Sequence, residues 1–126
     1  MRKENSYVLD KQDKKMVQLF AELGMPKNLA KTLLYISKVN ECFSIDIERG
    51  TNLRQPDVSV AMQELRRRGW AEKSDQKKKG KGRPVHIYKS TVDLSEIVKS
   101  FEQEKREDFE SVKRDLSELK TMVEKR

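Results

Sequence analysis

Side chains that can hydrogen-bond to DNA bases and phosphates recur at helical spacing between residues 54 and 67. The set consists of Arg54, Gln55, Ser59, Gln63, Arg66 and Arg67. An arginine guanidinium matches the paired acceptors of guanine, a glutamine amide matches adenine, and serine or arginine can also reach phosphate oxygens. The alternative is a solvated helix face whose basic end complements the helix dipole. Because the segment follows a short predicted helix and a turn, we favour a DNA-reading helix.

A second candidate contact region is the basic run KKKGKGRP at residues 77–84. Its cationic members are Lys77, Lys78, Lys79, Lys81 and Arg83. Lysines next to glycines can follow a phosphate backbone closely, and an arginine can enter a narrow minor groove. Arg83 is the candidate for insertion, because Pro84 restricts it to an extended conformation. A charge run is often only a solvated linker, but this one separates two strand-like segments, which favours nucleic-acid contact.

The residues that could support catalysis or bind a metal are few and isolated. The only histidine, His86, lies in a predicted strand, and the only cysteine, Cys42, stands beside Phe43. A buried, inert thiol is the simpler interpretation of Cys42, with a redox switch as the alternative. A single cysteine excludes an intrachain disulfide and a structural thiolate metal site. Neither G-x-x-x-x-G-K-[ST] nor G-x-G-x-x-G is present, and we expect no enzyme activity, cofactor or metal.

The positive charge of the chain is concentrated in its middle. The 126 residues carry 28 Lys/Arg and 21 Asp/Glu, a formal net charge of +7. Residues 54–89 hold eleven Lys/Arg against four Asp/Glu, whereas residues 93–126 hold eight against ten. This distribution is typical of a surface that binds a polyanion such as double-stranded DNA. We see no signal peptide and no membrane-spanning run, and one cysteine fits a reducing, cytoplasmic location.

The spacing of apolar residues places these candidates on a series of helices. The first predicted helix covers residues 13–23, and the second covers residues 26–39, with Pro26 at its start. Residues 1–11 are polar and expected to be loosely held. The first helix is predicted to face inward with Met16, Leu19, Phe20 and Leu23. The second carries a broad apolar stripe of Leu29, Ala30, Leu33, Leu34 and Ile36.

The next segments have the order of a helix-turn-helix followed by a hairpin. Ser44 is predicted to cap a short helix that ends at Gly50, and a further helix begins near Gln55. That helix is predicted to stop at Gly69 and has an inward face of Val58, Ala61, Met62 and Leu65. Strands are predicted at residues 70–74 and 85–89, on either side of the basic run. Two helices joined by a short turn, with a hairpin after them, form a winged helix-turn-helix.

Three segments resemble the archaeal winged-helix regulators related to the MarR and TrmB families. They are LGMPKNLAKTLLYI, SIDIERGTNLRQPDVSVAMQELRRRGW and GKGRPVHIYK, and the stretch from Leu23 to Lys89 that contains them covers about half of the chain. The resemblance implies a DNA-binding fold and a dimer, with Arg54, Gln55, Ser59 and Arg83 at the matching contact positions. The chain has no room for the C-terminal sugar-binding domain of the larger TrmB-like regulators. The resemblance therefore gives no support for a small-molecule effector.

A long helix is predicted from residue 93 to the end, because no residue from Leu94 onward is glycine or proline. Its second half has apolar residues that alternate in steps of three and four, a heptad seam for dimerisation. The seam consists of Phe109, Val112, Leu116, Leu119 and Val123. Upstream, Leu94, Val98 and Phe101 continue the stepping in a shifted register. The alternative is a helix that folds back on its own domain, and the direction of pairing stays open.

The sequence thus predicts a mainly α protein with a small β-hairpin wing. A winged helix-turn-helix domain is expected at residues 12–90 and a coiled-coil dimerisation helix at residues 93–126. The leading hypothesis is a homodimeric, sequence-specific transcriptional regulator that binds double-stranded DNA. The alternatives are an architectural, chromatin-like DNA-binding protein with little sequence specificity and a protein-interaction module of the transcription or replication machinery.

Overall fold

The computed structural model describes residues 6–76 and 85–126. The chain forms two compact units, Met1–Asp93 and Leu94–Arg126. The first unit contains four helices and three strands within the described residues, and the second is a single helix. The helices are α1 (Lys11–Glu22), α2 (Lys27–Val39), α3 (Ser44–Thr51), α4 (Gln55–Arg67) and α5 (Leu94–Glu124). The strands are β1 (Glu41–Phe43), β2 (Ala71–Gln76) and β3 (Val85–Ser90).

The start of α1 is held by a reciprocal cap. Asp10 accepts the backbone N–H of Asp13 at 2.8 Å, and the Asp13 carboxylate accepts the backbone N–H of Asp10 at 3.0 Å. This capping box satisfies two donors that a helix start leaves without partners. Asp13 itself is only 3% exposed. A carboxylate with several donors can be buried in this way, and here it helps to set which side of α1 faces inward.

The inward face of α1 differs from the one that the apolar pattern predicts. Asp13, Val17 and Phe20 are buried, whereas Leu19 and Leu23 are 47% and 49% exposed. The prediction for these two leucines is therefore wrong. The reason is that the helix rotates to bury the capped carboxylate at position 13, which hydrophobic periodicity counts as an outward residue.

The segment before α1 is also better held than the sequence suggests. Leu9 is buried, and its backbone N–H donates to the carbonyl of Gly50 at 3.0 Å. The hydroxyl of Tyr7 donates to the Asp13 carboxylate, and the Tyr7 ring lies 6.1 Å from the ring of Tyr35. The expectation of a loosely held segment is wrong for Tyr7 and Leu9. They contact Tyr35 and Gly50, which are distant in sequence.

The core of the first unit is built around α2. The predicted apolar stripe of this helix is buried, as are Thr32 and Tyr35. The helix begins at Lys27, so Pro26 is the capping residue rather than the first helical one. Asn40, with φ of 70°, ends it. A left-handed residue after a helix is where asparagine replaces glycine most readily.

Helix α3 is one residue longer at each end than predicted. Ser44 is its first residue rather than its cap, and Asp46 accepts the backbone N–H of Phe43 at 2.9 Å. Gly50 lies inside the helix, and the left-handed residue that ends it is Asn52, with φ of 59°. The predicted stop at Gly50 is therefore wrong.

Close packing explains why a glycine occupies position 50. A Cβ atom at this position would overlap the ring of Tyr35 and lie 2.8 Å from the carbonyl oxygen of Tyr7. Tyr35 has no exposed surface. The helix therefore keeps a residue of poor helical propensity because the chain on both sides approaches it too closely for any other side chain.

The strands form one antiparallel sheet in the order β1-β3-β2. The two hairpin strands match the prediction within two residues. Residues Glu41–Phe43 form the third strand, with Cys42 opposite Tyr88. Three residues are too few to show a period-two pattern, so the pairing of β1 could not be predicted from the sequence.

Helix α5 runs for 31 residues without interruption. Its buried residues are Ile97 and Phe101, whereas Val98 is 48% exposed. Of the predicted upstream positions, Phe101 is buried, whereas Val98 is exposed and its neighbour Ile97 is buried instead. No helix in the described part of the chain is long and apolar enough to cross a membrane.

Candidate nucleic-acid interface

The helix that carries the predicted base-reading residues is formed and bounded by local signals. A three-residue connection, 52–54, separates α3 from α4, as is usual in a helix-turn-helix. Helix α4 starts at Gln55 and ends before Gly69, whose φ is 79°. The Gly69 N–H donates to Arg66 and the Trp70 N–H to Leu65, which is the hydrogen-bond pattern of a glycine-ended helix. Both predicted ends of α4 are confirmed.

The predicted inward face of α4 is also confirmed, and this leaves one polar face outward. Val58, Ala61, Met62 and Leu65 are all buried. On the outer side, Gln55, Gln63 and Arg66 are exposed and Ser59 is half-buried, while Arg54 is exposed just before the helix. With about 100° per residue, the four helical residues lie within an arc of about 80°.

The acidic residues of α4 lie away from this outer face. Asp57 and Glu64 are seven residues apart, so they share one side of the helix. That side is roughly opposite Gln55 at about 100° per residue. The outer face therefore presents amides, a hydroxyl and a guanidinium without a carboxylate among them, which suits an anionic partner.

Glu64 organises the arginines at the end of α4. Its carboxylate accepts from Arg67 at 2.8 and 2.6 Å and from Arg68 at 2.7 Å. These hydrogen bonds lower the pKa of Glu64 to about 2 and raise the pKa of Arg67. Among the described residues, Arg66 forms no ion pair. Arg66 thus keeps its full charge for a partner, whereas Glu64 partly offsets the charge of Arg67.

Arg68 differs in surroundings from the two arginines before it. It is half-buried, and its guanidinium lies 5.0 Å from the centre of the Trp70 ring while it donates to Glu64. Such stacking over a tryptophan face is favourable. Arg68 therefore stabilises the junction between α4 and β2.

The basic run between β2 and β3 lies outside the described residues. It includes the predicted contact residues Lys77, Lys78, Lys79, Lys81 and Arg83. The strands that lead to it are described, and they add one candidate that sequence reasoning missed. Lys73 of β2 is exposed, at the register position opposite Tyr88. Lys89 is exposed too, but it pairs in register with Glu41 on one side and Glu72 on the other, which offsets its charge.

Solved structures with the same arrangement are transcription regulators and a chromatin protein by name. Neither a family model nor a curated protein matches this sequence. The archaeal chromatin protein TrmBL2 superposes with a TM-score of 0.66 at 15% identity, over 88% of this chain and 41% of that one. A possible transcriptional regulator from Methanosarcina mazei superposes with a TM-score of 0.63 at 16% identity, over 83% and 87% of the two chains.

A MarR family regulator from Neisseria meningitidis superposes with a TM-score of 0.51 at 16% identity, over 88% of this chain and 82% of that one. This chain has the winged-helix fold of the MarR/TrmB-like regulators. Helix α4 then occupies the position of the recognition helix, and β2 and β3 are the strands of the wing. The chain spans less than half the length of TrmBL2.

The predicted dimerisation seam of this winged-helix protein lies on the second unit and faces solvent in the single chain. The seam residues Phe109, Val112, Leu116, Leu119 and Val123 are between 53% and 65% exposed. Charged residues occupy most of the rest of this part of α5, and several form ion pairs one turn apart along the helix. A continuous apolar stripe on an otherwise charged helix is typical of a surface that another helix covers.

Cys42 and His86, the residues considered for redox, catalytic or metal-binding roles, both lie in the sheet of the first unit. Cys42 is buried in β1. His86 of β3 lies with its Nδ1 2.7 Å from the carboxylate of Asp75, its register partner on β2. Among residues 6–76 and 85–126, no group of three His, Cys, Asp or Glu side chains is placed to hold a metal ion.

Proposed function

We propose that this chain binds double-stranded DNA as a homodimer, with a preference for particular sequences, and regulates transcription. The observation that carries the proposal is the outer face of α4. It is exposed except at the half-buried Ser59, is free of carboxylates, and follows a three-residue turn on a winged-helix fold. A recognition helix with this placement enters the major groove. The names of the M. mazei and N. meningitidis structures support the same function.

The side chains of this face divide by position into two roles. Arg54 and Gln55 stand at the start of the recognition helix, where residues of this motif meet base edges, and Ser59 and Gln63 continue the same face. Arg66 and Arg67 lie at its end and contact phosphates. For the wing residues Lys77, Lys78, Lys79, Lys81 and Arg83, contact with the phosphate backbone or minor groove is proposed from the sequence.

Dimerisation is proposed to occur through the α5 seam. A monomer would leave five large apolar residues in water along one helix. A long, highly charged helix gains most of its stability from packing of an apolar face. A second copy offers an identical face, and the two-fold symmetry of such a dimer matches two half-sites on DNA.

Selection of bound duplexes from a random pool tests the proposal. We expect a palindromic winner that binds about 10³-fold more tightly than a scrambled duplex at the same salt concentration. Gln63→Ala is expected to weaken discrimination at one base position, at a cost of about 1–3 kcal/mol. Gln18→Ala, the same change on an exposed residue of α1, is the matched control and is expected to change nothing.

The other outcomes distinguish the competing functions. A pool without a preferred sequence, together with a steep dependence of affinity on salt, would contradict sequence-specific binding and indicate a DNA-coating protein. Absence of measurable DNA binding would contradict both DNA-binding functions and direct attention to a protein partner.

A further inference from the structure

We infer that α5 pairs with α5 of a second copy in parallel and in register. The inference rests on the proposed homodimer and specifies its geometry. The apolar seam alone does not distinguish parallel from antiparallel pairing, because it offers the same stripe in both. The charged residues beside the seam make the distinction, since residues at the e and g positions of a heptad set the orientation of two helices.

The seam defines the heptad positions of its neighbours. Phe109, Leu116 and Val123 occupy position a, and Val112 and Leu119 occupy position d. The positions that flank the seam are then segregated by charge. Position e holds Arg106, Lys113 and Lys120, and position g holds Asp108 and Asp115 followed by Met122. All described residues at positions e and g in this half of α5 are exposed.

In a parallel pair, each g residue lies beside the e residue of the next heptad on the partner. Asp108 then lies beside the partner's Lys113, and Asp115 lies beside the partner's Lys120. Two-fold symmetry repeats both pairs, so four contacts of opposite charge border the seam. Within the single chain, Lys113 lies 3.7 Å from Glu110 on the exposed helix surface. Such a pair is weak and leaves the lysine able to face a partner.

An antiparallel pair reverses this complementarity. Position e then borders position e of the partner, and position g borders position g. Every e residue of the seam is cationic, so each alignment places Arg106, Lys113 or Lys120 beside one another. Like charges in contact oppose association. The charge pattern therefore disfavours the antiparallel pair whatever its alignment.

The number of apolar layers supports the same orientation. In register, the parallel pair stacks all five seam residues on their own copies. Antiparallel packing matches position a with position d of the partner, and each alignment forms at most four apolar layers. One such alignment places Phe109 opposite the partner's Arg126, and the other places Val123 opposite the partner's Lys105. Parallel pairing thus forms the most apolar layers. Lys105 and Arg126, at the d positions just beyond the seam, face their own copies at its two ends.

Disulfide cross-linking of Val123→Cys, in a Cys42→Ala background of the full chain, tests the orientation. In the parallel pair the two copies of residue 123 face each other in one layer, within the limit of about 7 Å between Cα atoms that a disulfide allows. In the two four-layer antiparallel alignments they lie roughly 16 Å and 27 Å apart along the axis, at 1.5 Å per residue. Thr121→Cys, on the outward f position of the same turn, is the matched control.

We expect Val123→Cys to cross-link about tenfold faster than Thr121→Cys or more, because thiols that face each other in a dimer have a high effective concentration. Sedimentation equilibrium of each reduced variant measures whether it is a dimer. A reduced dimer that fails to cross-link at Val123→Cys would overturn parallel pairing while the proposed homodimer stands. A reduced wild-type chain that sediments as a monomer at micromolar concentration would overturn both, and the DNA selection would still test the rest of the proposed function.

Discussion

Substitution of Gly50 by alanine tests whether close packing, rather than helix termination, explains this glycine. The added Cβ would overlap the buried ring of Tyr35 and lie 2.8 Å from the carbonyl oxygen of Tyr7. Overpacking of a core costs about 1–3 kcal/mol. Alanine returns about 0.5–1 kcal/mol because it favours the helix more than glycine does. The net expectation is a loss of about 1–2 kcal/mol in the free energy of unfolding.

Urea unfolding of Gly50→Ala and of the wild type, at one fixed protein concentration, measures this loss. The concentration must match because the stability of the proposed dimer depends on it. Gly50 is helical, and alanine favours the helix more than glycine does. Without the close contacts, Gly50→Ala would therefore raise the free energy of unfolding. An unfolding free energy equal to or above that of the wild type would therefore refute the packing argument.

A double-mutant cycle separates packing from backbone strain. Tyr35→Leu removes the ring that the new Cβ meets, so Gly50→Ala is expected to cost less in that background. Gly69→Ala is the matched control. Position 69 has φ of 79° with nothing within 4 Å of a Cβ, and its cost of about 1 kcal/mol arises from the left-handed backbone alone. That cost is expected to be the same with Tyr35 or with leucine, and a coupled result would contradict the assignment.

Two further substitutions test the polar contacts of the first unit. Tyr7→Phe removes a donor from the buried Asp13 carboxylate and is expected to lower the free energy of unfolding by about 2 kcal/mol, since hydrogen bonds to charged groups are the stronger ones; urea unfolding near pH 7 measures it, and an unchanged midpoint would contradict the contact. Glu64→Gln removes the acceptor shared by Arg67 and Arg68. Because the pKa of Glu64 falls from 4.5 to about 2 on folding, its stabilising charge is fully present above pH 4.5 and lost as the pH falls toward 2. The stability difference between wild type and Glu64→Gln is therefore expected to shrink across this window in acid unfolding, and a constant difference would argue against the ion pairs.

Helix α4 shows how far local signals carry a prediction. The inward residues of α4 repeat at helical spacing, Pro56 lies in its first turn, and Gly69 follows its end. Each of these signals acts within one turn of the chain, so the sequence alone located the helix and its outer face. The three arginines at its end were predicted without the effect of Glu64. Its carboxylate accepts from Arg67 and Arg68, three and four residues later, and Arg68 also stacks on Trp70.

The errors of prediction occur where a specific contact overrides the pattern of residue types. Leu19 and Leu23 are exposed because α1 turns its capped Asp13 inward. Gly50 resembles a helix stop in sequence, yet it lies within α3. The residue is glycine because the chain packs too closely against it from two sides for any side chain. A carboxylate can be exposed or a buried cap, and a glycine can end a helix or permit close packing. The contacts that each residue makes in the fold decide between these roles.

The sequence by itself determined the order of the elements, the buried face and ends of α4, and the spacing of the apolar and charged residues along α5. These depend on periodicity and turn chemistry, which act between near neighbours. The tertiary structure decided which side of α1 faces inward and that β1 joins the wing strands. These depend on contacts between segments far apart in the chain, such as Cys42 with Tyr88 and Leu9 with Gly50. Short-range patterns carry no information about such pairs, because many folds satisfy the same local preferences.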